Sequence, residues 1–449
     1  MRQMLPESSL HSNEMAVCDS DAQAQEGRSP GYLNLAALTS LFLLWGFITG
    51  LNDVLVPHLK NVFELSYTRA VLVQFYFFAA YFLVSVPAGL LLRRVGYQLG
   101  LVFGLLVACA GCLVFIPAAR LQIYEVFLLG LFVLASGITV LQVSANPYVI
   151  ALGSAKTAPS RLNLTQAFNS LGTTLAPVAG GAVFFAAISM GADPDTATSV
   201  DEFRAREAAL VEKPYFWLAV VLLMMVAFFS WIRLPAIPEH RLSHRTSPFH
   251  SISPSRSETF SIWRFPRLTL GAIGIFAYVG AEVAIGSFLV SFFSESSVAE
   301  MQLFEAAKYV SYYWGGAMVG RFAGALLLRY VSAGKTLAVC SLGSVVLIGV
   351  AMLSSGYLAV WSIVAVGVCN SIMFPTIFSL ALRGLGQYTS QGSGVLCMAI
   401  VGGAVIPLLQ GVLADEAGIQ LSFLVPLLCY CYIAYYGAFS PTLRGAAME

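Results

Sequence analysis

Three ionisable side chains lie inside long apolar stretches of this 449-residue sequence: Asp53, Glu282 and Arg321. A charge near the centre of a lipid bilayer costs at least ~2.5–3.5 kcal/mol, so a carboxyl at such a position usually serves a function such as a proton relay. We therefore predict that Asp53 and Glu282 couple transport to a proton or another ion. The alternative is a structural carboxylate paired with a buried cation or amide. For Arg321 we expect a structural role, such as a gating pair.

Amide, hydroxyl and aromatic side chains recur at helical spacing in several of the same apolar stretches. A spacing of i, i+3 or i+4, and i+7 places each set on one wall of its helix. Amides offer both hydrogen-bond donors and acceptors, which the hydroxyl groups of a sugar ring require. The alternative for any one amide is hydrogen bonding between neighbouring helices. We predict that the substrate is bound by Asn52, Gln74, Gln142, Asn146, Gln166, Asn169, Tyr313 and Asn370.

The composition restricts the class of protein. Hydrophobic residues make up 58% of the chain and charged residues 10%, against about 25% charged in a typical soluble protein. The mean hydropathy is +0.79. These values exclude a soluble enzyme or a disordered protein as the bulk of the chain. The net charge of +1 offers no electrostatic attraction for nucleic acid, so we expect no nucleic-acid partner.

Apolar stretches long enough to cross a bilayer define the organisation of the chain. A span of about 20 apolar residues covers roughly 30 Å of hydrocarbon. These stretches are apolar around the whole circumference, which favours helices over the alternating strands of a barrel. Twelve candidate spans follow: 33–57, 69–92, 98–118, 123–149, 161–189, 214–234, 268–293, 305–328, 335–355, 358–382, 392–414 and 419–439.

The two halves of the sequence repeat each other. AGLLLRRVGYQ (88–98) resembles AGALLLRYVSAGK (323–335). At offsets of 228 to 230 residues, Gly172 matches Gly402, Pro147 matches Pro375 and Asp53 matches Glu282. Two six-span halves of the same orientation are typical of major facilitator transporters. We therefore predict an all-α membrane protein with twelve transmembrane helices in two pseudo-symmetric six-helix bundles, with kinks at the two prolines.

The placement of Lys and Arg residues predicts the orientation. With the N-terminus inside, sixteen of them fall on the inner side and seven on the outer side, so both termini are expected in the cytoplasm. The polar insert 190–213 is then expected outside. The predicted parts are a cytosolic N-terminal tail, an N-terminal bundle, a cytosolic linker, a C-terminal bundle and a cytosolic C-terminal tail, at 1–32, 33–234, 235–267, 268–439 and 440–449.

Five segments resemble the fucose–proton symporter family of the major facilitator superfamily, in particular its bacterial glucose/galactose branch. They are LFLLWGFITGLNDVLVPHLK (41–60), LQVSANPYVIALG (141–153), SRLNLTQAFNSLGT (160–173), YVGAEVAIGSF (278–288) and FPTIFSLAL (374–382). The resemblance covers residues 33–439. It implies alternating access by two six-helix bundles and proton-coupled sugar uptake.

The resemblance also implies roles for individual residues. By position, Asp53 resembles the coupling aspartate of the family, and Gln166 and Asn169 resemble its sugar-contacting amides. Two positions depart from the pattern of the fucose symporter. Gln142 stands where that protein has a glutamate, and Glu282 stands where it has an amide. An acid has thus moved from the first half to the second, which leaves Na⁺ open as an alternative coupling ion.

These observations together predict a secondary active symporter rather than an enzyme. The expected substrate is a neutral hexose, with glucose or galactose ahead of N-acetylglucosamine and fucose. The coupling ion is expected to be H⁺, with Na⁺ as the alternative, and no metal site or other cofactor is expected. We expect a monomer in the bacterial inner membrane, with the lipid bilayer and the sugar as its partners.

Two other functions remain as alternatives. A drug–proton antiporter of the same fold would favour an apolar cavity with a single acid, and the number of amides argues against it. A sugar-sensing receptor would need a large cytosolic signalling domain, whereas the longest predicted inner loop is about 30 residues. The sequence also lacks a phosphate-binding glycine-rich loop and a nucleophile elbow, which argues against ATP use and against an intramembrane enzyme.

Overall fold

The computed structural model describes residues 32–62, 67–121, 123–189, 200–232, 234–235 and 261–440. Within these ranges it leaves out the side chains at 32, 52–62, 67–72, 179–189, 200–211 and 303–304. The predicted tails and most of the predicted linker therefore lie outside the described residues.

Twelve helical spans make up the described fold, and no strand occurs among these residues. Spans 1 to 6 are Tyr32–Val62, Tyr67–Val95, Tyr97–Leu121, Tyr124–Ala151, Ala158–Ser189 and Val200–Trp231. Spans 7 to 9 are Pro266–Ser294, Leu303–Leu327 and Ala333–Leu353. Spans 10 to 12 are each interrupted and consist of Gly356–Asn370 with Met373–Leu382, Thr389–Met398 with Gly402–Ala417, and Ile419–Ser422 with Leu424–Phe439. The predicted all-helical fold with twelve spans is confirmed.

Span 6 differs most from its predicted bounds. Its helix begins at Val200 rather than at residue 214, so much of the predicted insert 190–213 is helical. The segment VDEFRAREAAL contains Glu, Ala and Arg, which favour a helix, and it lacks glycine and proline. The first part of this helix is polar, and its apolar part begins only near Glu212.

Ten of the spans contain a stretch that is long and apolar enough to cross a membrane within the described residues. Spans 5 and 8 are the other two. They carry Asn163, Gln166, Asn169 and Arg321, and they pack against each other between the two bundles. Span 8 faces a polar cavity and another helix, so it does not need an apolar surface all round.

The two halves repeat in their packing as well as in sequence. In the first bundle the most extensive contacts join spans 1 and 5, 2 and 4, 3 and 4, and 3 and 6. In the second bundle they join the equivalent spans 7 and 11, 8 and 10, 9 and 10, and 9 and 12, together with spans 7 and 12. Between the bundles, span 2 packs on span 11 and span 5 packs on span 8, which are again equivalent pairs. The internal repeat predicted from sequence is therefore a repeat of structure.

Two glycines at matched positions of the repeat permit very close contacts between helices. A Cβ atom added to Gly172 in span 5 would lie 2.1 Å from the Leu43 carbonyl oxygen of span 1. A Cβ atom added to Gly402 in span 11 would lie 2.1 Å from the Phe276 carbonyl oxygen of span 7. Both obstacles are backbone atoms of a neighbouring helix, so no side-chain rotation could relieve them.

The matched prolines release one backbone carbonyl in each bundle. Proline has no N–H group, so Pro147 cannot bond to the Val143 carbonyl and Pro375 cannot bond to the Ser371 carbonyl. Span 10 is interrupted between Asn370 and Met373, in agreement with the predicted kink, whereas span 4 continues as one helix through Pro147. Both released carbonyls accept hydrogen bonds from other spans, and these bonds lie at the cavity described next.

Candidate functional site: a polar cavity between the bundles

A cavity of about 280 Å³ lies between the two bundles. This volume is near the lower end of the roughly 300–1,000 Å³ that is typical of small-molecule sites. Spans 1, 2, 4 and 5 of the first bundle and spans 7, 8, 10 and 11 of the second all contribute to its wall. The residues that line it are Trp45, Thr49, Val73, Gln74, Phe77, Phe78, Tyr81, Leu131, Gln142, Gln166, Asn169, Val279, Glu282, Arg321, Phe374, Pro375 and Ile400.

Amide side chains form the polar wall of the first bundle. Gln74, Gln142, Gln166 and Asn169 were predicted from sequence to bind substrate, and all four line the cavity. The Gln142 amide nitrogen donates a hydrogen bond to the Tyr81 hydroxyl at 2.8 Å. The Gln142 carbonyl oxygen is buried without a partner among the described residues. A buried acceptor of this kind costs ~1–3 kcal/mol while unpaired, so a ligand hydroxyl that reached it would gain affinity.

The second bundle contributes one acid and one base to the cavity wall. Arg321 Nη2 of span 8 lies 3.3 Å from Glu282 Oε1 of span 7, and only 14% and 13% of the two side chains are exposed. Because both charges are mostly removed from water and lie side by side, they neutralise each other. The described cavity wall therefore carries no net charge, apart from any contribution of residues outside the description.

Aromatic rings complete the cavity. Trp45, Phe77, Phe78 and Tyr81 line it from spans 1 and 2, and Phe374 lines it from span 10. Phe77 lies with its ring centre 5.5 Å from that of Tyr81. Flat apolar faces beside a row of amides suit a ligand that has both C–H surface and hydroxyl groups, and a sugar ring has this character.

Three predicted substrate-binding residues lie behind the cavity rather than on its wall. Asn146 and Asn370 are fully buried and do not line the cavity. The Asn370 amide donates a hydrogen bond of 2.7 Å to the Tyr313 hydroxyl, and Tyr313 is also fully buried. In this conformation Asn370 and Tyr313 join spans 10 and 8, whereas both polar atoms of the Asn146 side chain are buried without a hydrogen-bond partner among the described residues. The sequence pattern of an amide in a helix is the same whether it binds a ligand or a neighbouring helix. The spacing of residues shows only which face of its own helix the amide lies on, and not what that face contacts.

Asn52 and Asp53 belong to span 1, but their side chains lie outside those that the structure describes. Trp45 and Thr49 of the same span line the cavity. The coupling role of Asp53 and the binding role of Asn52 therefore stay predictions.

The partners of Arg321 were not predicted from the sequence. Its guanidinium donates to the Ser170 hydroxyl of span 5, across the bundle boundary. Its Nε atom donates to the Ser371 carbonyl at 3.3 Å, which is the carbonyl released by Pro375. A helical proline cannot bond to the carbonyl four residues before it, so the sequence could have identified the Ser371 carbonyl as an acceptor without a helical donor. No sequence signal identifies Arg321 as the donor that binds it.

The bundles are joined to each other at one end of the cavity. The cross-bundle bonds made by Ser160, Asn163 and Ser393 lie between the cavity floor and the loops at 96, 152–157 and 383–388. The Thr174 hydroxyl donates to the Met318 sulfur at 3.6 Å about one turn to the other side of Ser170 and Arg321. Ser393 of span 11 donates to the Val143 carbonyl at 2.8 Å, which Pro147 released. Asn163 of span 5 donates to the Arg321 carbonyl at 2.8 Å. These bonds close the cavity at the loop end.

The closed end also holds a buried cation that stabilises the end of span 4. Arg161 donates to the Val149 and Ile150 carbonyls at 3.3 Å and 2.7 Å. These carbonyls belong to the last turn of a helix, where a cation is favoured by the helix dipole and where carbonyls lack helical partners. Arg161 thus fastens the loop end of span 4 to the start of span 5.

Comparison with known proteins agrees with this architecture. The family model of the Major Facilitator Superfamily matches residues 37–400. The chain is 52% identical over 403 residues to the glucose/galactose transporter of Brucella abortus, covering 90% of this chain and 93% of that one. It is 31% identical over 437 residues to the L-fucose-proton symporter of Escherichia coli, covering 96% and 98%.

A solved structure extends the likeness to three dimensions. The major facilitator transporter FucP, described as being in the outward conformation, superposes with a TM-score of 0.81 at 29% identity, over 92% of this chain and 99% of that one. The fold, the family model and the relatives all agree over most of the length of the chain. The chain therefore belongs to the major facilitator superfamily.

Proposed function

We propose that this protein is a proton-coupled symporter that carries glucose or galactose by alternating access between its two bundles. The observation that carries this proposal is the composition of the cavity wall. Four amides line the side of the first bundle, and one mutually neutralised acid–base pair lines the other side. A neutral polyol with an apolar ring face fits these groups, whereas a cationic drug would need an unpaired acid.

The relatives support the substrate and the coupling ion. The relatives with the greater identity are glucose/galactose transporters, and the symporter from E. coli uses protons. Asp53 and Glu282 are the two carboxyls of the spans that could carry the proton, and they occupy equivalent places in the repeat. In the proposed cycle Asp53 takes a proton from outside, and the sugar binds to Gln142, Gln166 and Asn169 with Glu282 opposite.

The orientation of the cycle rests on the distribution of positive charge. The loop end at which the bundles are joined carries Arg93, Arg94, Lys156, Arg329 and Arg383. The positive-inside rule places that end in the cytoplasm, so the described conformation corresponds to a state closed towards the cytosol. Rocking of the bundles then breaks the contacts at this end and releases the sugar and the proton inside a bacterial inner membrane.

Uptake measurements in cells that lack their own hexose transporters test the proposed function. Addition of galactose or glucose should raise the external pH, and removal of Na⁺ should leave uptake unchanged. Uptake that requires Na⁺ without a change in pH would replace the proton by a sodium ion. Failure of every hexose, together with increased resistance to cationic drugs, would overturn the sugar assignment in favour of an antiporter.

The substitution Asp53→Asn is expected to abolish sugar accumulation. Asparagine has a similar shape but cannot take up and release a proton, so the coupling step is lost. Steady-state uptake of labelled galactose in energised cells measures the effect, with membrane abundance of the protein determined in parallel. Full accumulation by the variant would remove Asp53 from the mechanism.

The substitution Gln166→Ala is expected to raise the KM for the sugar about tenfold, because a lost hydrogen bond of about 1.4 kcal/mol corresponds to a factor of ten. Initial rates of uptake over a range of sugar concentrations measure this change. The thermal stability of the purified protein should change little, since the Gln166 side chain lines the cavity and is not packed on all sides.

The matched control is Asn370→Ala, an amide that does not line the cavity. Its removal leaves the buried Tyr313 hydroxyl without the bond from Asn370, so the protein should lose about 1–3 kcal/mol of stability. The KM of the folded protein should stay close to that of the parent. A larger rise in KM for Asn370→Ala than for Gln166→Ala would contradict the assignment of the cavity wall.

A further inference from the structure

Arg321 is the residue that connects the acid of the cavity with the contact between the bundles. Its guanidinium donates to Glu282 of span 7 at 3.3 Å, to the Ser371 carbonyl of span 10 at 3.3 Å and to the Ser170 hydroxyl of span 5. The first two partners belong to its own bundle, and the third belongs to the other bundle. One side chain thus joins four spans at the floor of the cavity.

The backbone of the same residue is also bound across the boundary. Asn163 of span 5 donates to the Arg321 carbonyl at 2.8 Å, and Asn163 is fully buried. Span 5 therefore holds residue 321 at both its main chain and its side chain. Separation of the bundles at the loop end requires both of these bonds to break.

The geometry of the guanidinium explains why arginine can make these contacts at once. Its five N–H donors lie in one plane and point in fixed directions, so three acceptors on three helices can be satisfied together. The Ser371 carbonyl is available because Pro375 supplies no N–H group to it. A lysine would carry the same charge but could not reproduce this planar arrangement.

The charge state of Glu282 must influence this arrangement. Among the described residues, the ionisable groups that interact with the Glu282 carboxyl are Arg321, Tyr278, Tyr313 and Tyr430, and Arg321 is the cation. A carboxylate holds the guanidinium by a charge-assisted bond, whereas a protonated carboxyl holds it much less strongly. A proton on Glu282 therefore removes the main force that positions Arg321 towards Ser170.

We propose that Arg321 is a positioning residue that transmits the protonation of Glu282 to the closed contact between the bundles. This inference rests on the proposed function and adds the connection between the proton and the conformational change. With Glu282 charged, Arg321 binds Ser170 and holds the loop end closed. A proton that reaches Glu282 from the cavity neutralises it, Arg321 releases Ser170, and the loop end opens. Loss of that proton to the cytosol restores the carboxylate and allows the contact to form again.

The test measures opening of the loop end directly, without any sugar. Ser85 of span 2 is fully buried where span 2 meets span 11, and its carbonyl would lie 2.6 Å from a Cβ atom at Gly394. The reporter is Ser85→Cys in a version of the full chain that lacks its eight native cysteines and is recovered from the membrane in folded form at the level of the parent. The rate at which N-ethylmaleimide modifies the introduced thiol reports how often the loop end opens.

We expect Arg321→Gln and Ser170→Ala each to raise the modification rate about tenfold at pH 8. Ser170→Ala keeps the Glu282–Arg321 pair and removes only the link to the other bundle. Arg321→Lys should give an intermediate rate, and it serves in place of Arg321→Gln if that variant fails to fold. The matched control is Ser311→Ala, which removes an exposed serine hydroxyl from span 8, the span that carries Arg321. It should leave the modification rate unchanged. Rates within twofold of the parent for both Ser170→Ala and Arg321→Lys would overturn the proposal.

A double substitution distinguishes a role of Arg321 in proton coupling from a purely structural role, in which Arg321 only neutralises the charge of Glu282. In Glu282→Gln with Arg321→Gln, neither side chain is charged, so a purely structural ion pair would be replaced without loss of accumulation. We expect instead that this variant exchanges sugar across the membrane without accumulating it. Its modification rate, divided by the rate of a freely accessible thiol at the same pH, should no longer depend on pH, because only the thiolate reacts. Normal accumulation by the double variant would refute the proposal.

The proposed substrate and the proposed role of Arg321 can be disproved independently of each other. If the modification rates follow the expectation while no hexose is transported, the proposed substrate is wrong and the role of Arg321 stands. If hexose uptake is proton-coupled while the modification rates do not respond to these substitutions, the proposed function stands and the role of Arg321 is wrong.

Discussion

Glu282→Gln is expected to reduce steady-state sugar accumulation to the level of simple equilibration. One proton that moves down a membrane potential of about 100 mV supplies about 2.3 kcal/mol, which sustains a sugar gradient of roughly fifty-fold. A glutamine side chain retains an oxygen that can accept from Arg321, but it cannot exchange a proton. The gradient should therefore vanish while exchange of labelled for unlabelled sugar continues. Both quantities can be measured in energised membrane vesicles.

The control for this experiment is Glu416→Gln. Glu416 is an exposed acid at the end of span 11, so its substitution tests for general effects of removing a negative charge. It should accumulate sugar as the parent does. Undiminished accumulation by Glu282→Gln would show that Glu282 serves only to compensate Arg321, and coupling would then depend on Asp53 alone.

The second large effect is expected for the stability of the fold. Gly172→Ala and Gly402→Ala each place a methyl group 2.1 Å from a carbonyl oxygen of the neighbouring helix. Because the obstacle is backbone, spans 1 and 5, or spans 7 and 11, must move apart. Overpacking of this kind costs about 3 kcal/mol. We expect a marked loss of folded protein and a lower Tm for each variant, measured by thermal unfolding of the protein in detergent.

Gly349→Ala provides the matched control for these two substitutions. Gly349 also lies within a helix, in span 9, but a Cβ atom at this position would meet nothing within 4 Å. Alanine favours a helix by about 1 kcal/mol over glycine, so the Tm should stay the same or rise. Equal losses at all three positions would mean that the close contacts at Gly172 and Gly402 do not limit the packing of the bundles.

The internal repeat explains why the two glycine substitutions should behave alike. Gly172 and Gly402 were matched from sequence at an offset of 230 residues, and each permits the equivalent pair of spans to touch. The repeat could be recognised in the sequence because close contact between helices in a membrane depends on small residues at particular positions. The same positional requirement acts in both halves, so the residues recur in register.

The residues that line the cavity could be predicted only in part from the sequence. Gln74, Gln142, Gln166 and Asn169 line it as predicted, whereas Asn146 and Asn370 are buried between helices. A bilayer penalises an amide on the lipid-facing side, so the pattern shows that each of these side chains points inwards. It does not show whether the space inside is a cavity or another helix, because that depends on how spans distant in sequence are arranged.

The amino-acid sequence alone was sufficient for the twelve spans, the two-fold repeat, the interruption of span 10 near Pro375 and the burial of the Glu282 and Arg321 side chains. These properties are local: each stretch must be apolar enough for lipid, and each proline lacks an N–H group wherever it stands. Only the tertiary structure decided which groups take the carbonyls that the prolines release. Ser393 binds the Val143 carbonyl and Arg321 binds the Ser371 carbonyl. These partners lie 250 and 50 residues apart in the chain, and a hydrogen bond at such a separation exists only once the packed helices bring the donor within about 3 Å of its acceptor.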